Sequence, residues 1–180
     1  MKRKFYIILF TFLFFLLFAG VILFTPAITL LSISNRKNPT EVYYSLDGYK
    51  KGFTLSYTHS VNKGRVHDYY ECLEDGNLLL NQTLFVSYGA GIPEPYESSG
   101  ADFTVTSNGY KISNLQRKIP RLVMAVGIIA NHSITFEQNE NFKNLKTKEY
   151  FLTDYFKAQT SIILEIKKVS LMNFLLHKFK

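Results

Sequence analysis

Residues Phe5 to Phe24, FYIILFTFLFFLLFAGVILF, form an apolar run without a single charge. Twenty residues of helix span about 30 Å, the hydrocarbon thickness of a bilayer, so the run predicts a transmembrane helix. Pro26 limits it, because an interior proline removes a hydrogen bond and clashes with the preceding turn. From Ile28 onward apolar positions recur mostly at every second residue, the period of a strand. Strands are predicted over Ile28–Ser34, Glu41–Leu46, Phe53–Val61, Arg65–Leu73, Asn77–Val86, Phe103–Ser107, Tyr110–Ser113, Arg121–Ala130, Ser133–Gln138 and Ser161–Val169. The joints Asp47-Gly48, Lys63-Gly64, Asp75-Gly76 and Asn108-Gly109 carry the chemistry of tight hairpins. The fold class this implies is mainly β: an antiparallel sandwich or barrel-like domain behind one N-terminal transmembrane helix.

Leu122 to Ile129 is apolar on both faces and predicts a central strand covered on both sides. Asn141 to Lys157 fits neither period and predicts one short helical turn. The chain divides into an anchor (1–26), a β domain (27–170) and a basic amphipathic tail (171–180).

Charge sets the expected topology. Lys2, Arg3 and Lys4 precede the apolar run, and only Arg36 and Lys37 follow at a distance, which keeps the N-terminus cytoplasmic. The expectation is a single-pass protein of the cell membrane, in contact with lipid through residues 5–24, with its β domain extracytoplasmic. A cleaved signal peptide is the rival. Its apolar core would run about 7–15 residues and end in a small-x-small site. Ala19 and Gly20 are small, but no A-x-A closes the run, so an uncleaved signal-anchor is expected. The balance of 21 Lys and Arg against 14 Asp and Glu gives a net charge of +7. These charges gather into no basic helix or stripe and no aromatic platform accompanies them, which argues against nucleic acid. Cys72 stands alone, so the domain relies on an apolar core rather than an internal disulfide. No motif calls for a cofactor or a bound metal.

The segment FTLSYTHSVNKGRVHDYYECL is the richest in chemistry. Phe53, Leu55, Tyr57, His59 and Val61 share one face of its first strand, and the apolar pattern selects Val66, Asp68, Tyr70 and Cys72 to meet them. A two-residue loop at Lys63-Gly64 then pairs Val61 with Val66, Tyr57 with Tyr70 and Leu55 with Cys72. It sets His59 opposite Asp68, with Cβ atoms about 5 Å apart. Such a pair is either a structural couple in the core, or a poised acid–base dyad or half of a metal site. His67 points the other way and is expected exposed. The loop from Gly89 to Gly100, GAGIPEPYESSG, is stiffened by Pro93 and Pro95 and is either a recognition loop or a plain connection. His132 falls at a predicted turn.

FTLSYTHSV…VHD, the GAGIP run and VGIIANHSI resemble, in order, the motifs of the domain-of-unknown-function family 1850, over roughly Ile28 to Val169. The resemblance implies functional or recognition roles for His59, Ser60, Asp68, Gly89, Gly91, Pro93 and His132. Asn62 and Arg65 depart from its pattern, where an acidic residue and a proline are common. Members look linked to TAXI-type TRAP transporters, which implies partners among membrane transporter subunits or a solute-binding protein. Two functions therefore stand as expectations. One is a tethered extracytoplasmic binding module, accessory to such a transporter. The other is a metal-assisted hydrolase built from His59, Asp68 and His132, which requires those three to converge.

Overall fold

The Ala27 amide donates to the Val169 carbonyl at 3.2 Å, and at this bond the N-terminal apolar helix gives way to sheet. The structure, a computed structural model, describes residues 2–87, 100–107, 109–136 and 148–179. Helix α1 (Lys2–Phe24) buries none of its residues. It is long and apolar enough to cross a membrane, and its apolar residues run round every side of the helix.

Two antiparallel sheets follow. The first runs β2-β1-β12-β9, from β1 (Ile28–Asn35), β2 (Val42–Ser45), β9 (Leu122–Ala125) and β12 (Ser161–Val169). The second runs β11-β10-β3-β4-β5-β7-β6. Its strands are β3 (Phe53–Thr58), β4 (Arg65–Cys72), β5 (Leu78–Phe85), β6 (Asp102–Thr106), β7 (Gly109–Ser113), β10 (Ser133–Thr135) and β11 (Tyr150–Phe151), and β8 (Arg117–Ile119) pairs with β5. Leu31, Ile33, Ile162 and Leu164 of the first sheet meet Phe53, Leu55, Tyr70, Leu78 and Ile134 of the second in one buried cluster. The two sheets thus share a core in the manner of a sandwich. A smaller cluster of Val66, Phe85 and Ile112 lies under the β5–β7 wing.

Two elements differ from expectation. Asp47-Gly48 is no hairpin turn but part of α2 (Leu46–Lys51). Ser45 caps that helix by accepting the Gly48 amide at 2.9 Å, with Asp47 in its first turn and Lys50 and Lys51 in its last. The apolar run at 121–130 is not a central strand either. β9 covers only Leu122–Ala125 at a sheet edge, because the chain turns at Gly127 and the Asn131 amide closes back on the Gly127 carbonyl at 3.1 Å. Ile128 and Ile129 are left exposed. The one short helical turn expected within Asn141–Lys157 is present, as a 3-10 turn at Leu152–Asp154.

Helix α3 (Leu171–His177), capped by Ser170, lies beside α1. Its Phe174 packs with Leu30, Val42, Tyr44 and Val169 on the outer face of the first sheet. Phe179 returns to the main core among Tyr43, Tyr150 and Tyr155.

Candidate functional site

The β3–β4 hairpin has a longer loop and a different register than its apolar pattern suggests. Leu55 faces Asp68, Ser56 faces His67 and Tyr57 faces Val66. The faces are as expected, but the strands slip by four residues, so His59 does not meet Asp68. A slip by an even number preserves every inward and outward assignment, and the pattern alone cannot sense it. The tip settles the register. His59 N–H donates to the Gly64 carbonyl at 2.8 Å, and the His59 carbonyl accepts from Lys63. The His59 Nδ1 accepts the amides of Val61 and Asn62 at 3.3 and 3.4 Å. His59 is therefore a tip-closing residue. Ser60, exposed, presents its carbonyl to Lys63 Nζ at 2.6 Å.

Asp68 instead lies on the inner face of the second sheet. Its carboxylate accepts from the Thr83 hydroxyl at 2.9 Å and from the Tyr57 hydroxyl. Burial pushes its pKa up to about 6, against the pull of these two donors and of the Arg117 cation. Burial and the neighbouring Asp68 charge raise the Tyr57 phenol, so it stays a proton donor. The His132 ring lies 5.8 Å from the Tyr57 ring and is tilted by 40° to it. The fold thus brings His132 and Asp68 to one tyrosine. The His132 Nδ1 accepts the Gly127 amide at 3.1 Å, and burial with the Arg65 cation lowers its pKa.

His67 was expected exposed. The structure half-buries it on the outer face, its Nδ1 paired with the Ser56 hydroxyl at 2.7 Å. Burial, helped by the Arg65 cation, lowers its pKa to about 4, so it is neutral at pH 7. Arg65 is the hub beside it. Its guanidinium reaches the Asn131 carbonyl at 2.7 Å, the Ser133 hydroxyl at 2.6 Å and Glu149 at 3.1 Å. Ser133 also donates to Glu149. This set resembles a hydrolase only superficially. Ser56 is 4% exposed, leaving a substrate no room, and adjacent residues His67 and Asp68 point to opposite faces of the strand. Burial likewise pushes the Cys72 thiol up to about 12, far from a reactive thiolate.

His59, Asp68 and His132 do not assemble a metal site. Among the described residues no three of His, Cys, Asp and Glu stand where one ion could bind them. Gly89, Gly91 and Pro93 lie outside the described residues.

A groove of about 460 Å³ opens between the tip of the hairpin and the turn after β9, lined by Thr58, Ser60, Lys63, Ile128, Ile129 and Gln159, among others. Its walls are coupled to the sites above. Thr58 N–H and Arg65 both bond the Ala130 carbonyl, and His132 holds Gly127. Sequence reasoning missed this surface because its apolar residues read as a buried strand. Arg65 and Glu149 were missed as partners because 84 residues separate them and neither carries a local signal.

No curated protein and no solved structure matches the chain. The family model described as Domain of unknown function (DUF1850) matches residues 53–142, from the start of β3 onward, a shorter stretch than the resemblance over Ile28 to Val169 implied. That match covers the hairpin, Asp68 and His132, and the chain belongs to the DUF1850 family.

Proposed function

We propose that this protein is a membrane-tethered extracytoplasmic binding module that holds a protein partner at its membrane-distal end. The observation that carries this is the apolar surface around the groove. Val61 is 65% exposed, Ile128 68% and Ile129 81%. Clustered exposed aliphatics on loop tips mark interaction sites. The groove lies at the Ser161 end of β12 and α1 at the Val169 end, since Val126 bonds Thr160 and Ala27 bonds Val169. Eight strand steps of about 3.3 Å put roughly 26 Å between them. A surface at the opposite end of β12 from α1 suits a soluble partner rather than lipid. The resemblance of the motifs implies a candidate: the solute-binding protein of a TRAP-type transporter, with this chain as the transporter's accessory. The cations before α1 support a cytoplasmic N-terminus.

The test is affinity recovery of the full chain in mild detergent from cells expressing the transporter. The expected result is recovery of the solute-binding protein with the native chain and its loss with Ile129→Asp, both chains remaining in the membrane fraction. Equal recovery by the two chains, or no recovery by either, overturns the proposal.

A further inference from the structure

We propose that α3 is an interfacial helix, resting on the bilayer surface beside α1 with Leu175 and Leu176 in the headgroup–acyl boundary and Lys168 and Lys178 at the lipid phosphates. It rests on α1 being the bilayer anchor and is independent of the partner proposed for the groove.

Three observations carry it. First, α3 begins where the membrane helix ends. Ala27 bonds Val169, Ser170 caps α3, and α3 packs beside α1, so the short helix is continuous with the lipid-facing surface. Second, α3 turns two large apolar side chains away from the protein. Leu175 is 59% exposed and Leu176 67%, while Phe174 packs inward. Third, this presentation is built. Seven residues are too few to hold a helix in water unaided. Here the Ser170 cap, the Phe174 contact and the buried Phe179 fix it from both ends. Water is a poor solvent for adjacent leucines so fixed, whereas the boundary of a bilayer takes them. The exposed cations Lys168, paired across β1 with Thr29, and Lys178, directly after α3, flank the leucines as amphipathic interfacial segments require.

The chain contains no Trp, so a single introduced indole reports its own surroundings. The full chain, reconstituted in vesicles of phosphatidylcholine and phosphatidylglycerol, is compared as Leu175→Trp, as Phe15→Trp in the middle of α1, and as Ile129→Trp at the distal groove. With brominated lipids present, Leu175→Trp and Phe15→Trp lose about half of their emission and Ile129→Trp keeps its own, as for a ring about 5–10 Å into the boundary. Quenching of Phe15→Trp with none of Leu175→Trp overturns the interfacial assignment alone. Absence of quenching in Phe15→Trp overturns the anchor itself. Protection of Leu175→Trp from aqueous iodide without bromolipid quenching means that protein covers α3, and that also overturns the proposal. Unchanged quenching when Lys168→Gln and Lys178→Gln are added overturns the phosphate contact.

Discussion

Tyr57 reaches diagonally across the β3–β4 ladder and donates its hydroxyl proton to Asp68, while the His132 ring lies 5.8 Å from the same ring. A carboxylate inside the sheet, an aromatic bridge and the histidine that holds the groove's wall therefore form one contact chain. The donor stabilises the charged form of Asp68 in surroundings whose burial disfavours it. Tyr57→Phe removes that donor and leaves the ring. The expected outcome is an Asp68 pKa above its native value of about 6, read from the carboxyl carbon shift in an NMR titration. At neutral pH the loss of stability is about 2 kcal/mol, the usual range for a bond to a charged group. An unmoved or lowered pKa would falsify the contact.

His67 and Asp68, neighbours on β4, give the fold opposite responses to pH. Asp68 holds its proton up to about 6 when folded but only to about 3.9 when unfolded, so its contribution is complete below about pH 4 and is lost as pH rises through 6. His67 titrates near 4 when folded and near 6.5 when unfolded, so its contribution is present above about pH 6.5 and is lost as pH falls toward 4. The two nearly cancel between pH 4 and 6. Asp68→Asn is expected to leave a stability that rises with pH across this window, and His67→Gln one that falls. Each swing is at most about 3 kcal/mol, from two pKa units at 1.36 kcal/mol each. Urea unfolding of the full chain in micelles, followed by circular dichroism, checks the signs. The same slope in both variants defeats the assignment.

Arg65 clamps the chain between Ala130 and Ser133 to the hairpin. Arg65→Ala is expected to cost about 2 kcal/mol, since it removes a charged donor from several acceptors at once. Arg65→Lys should recover less than half of that, because a point charge cannot reproduce the planar fork. Amide exchange at Asn131 is the local readout, and it should accelerate in both variants. Protection equal to the native chain would show that the turn does not depend on the clamp.

Gly48 sits inside α2, where alanine has the better helix propensity, yet a Cβ there would meet Phe136 at 2.8 Å and Leu31 at 2.9 Å. Overpacking outweighs propensity, and Gly48→Ala is expected to destabilise by about 1–3 kcal/mol. Gly20→Ala in α1 meets no atom within 4 Å and should leave the unfolding midpoint of the β domain unchanged. Thermal denaturation compares the two, and a Gly48→Ala chain as stable as the native one excludes close packing of α2 on the core.

Much of the molecule was legible in its residues. The unbroken apolar run ending before Pro26 is α1, and the two-residue period over Ile28–Asn35 and Ser161–Val169 is the paired centre of the first sheet. Periodicity reports which way each side chain points, and burial enforces it, so the inward assignment of Phe53, Leu55 and Tyr70 followed directly. Partner choice did not follow. Because strand faces repeat every two residues, the pattern is blind to a slip of four, and the bonds of His59, Gly64 and Ala130 decide which residue Asp68 meets. The run at 122–129 shows the same limit from another side. Its hydrophobicity is plain in the sequence, but only the turn at Gly127 places Ile128 and Ile129 on the surface instead of in the core. The sequence by itself determined the N-terminal apolar helix, the two-sided strands and their inward residues, because those depend on local pattern. The tertiary structure alone decided the Tyr57–Asp68 bond, the Arg65 clamp and the groove beside the hairpin tip, because each joins residues whose separation along the chain carries no period.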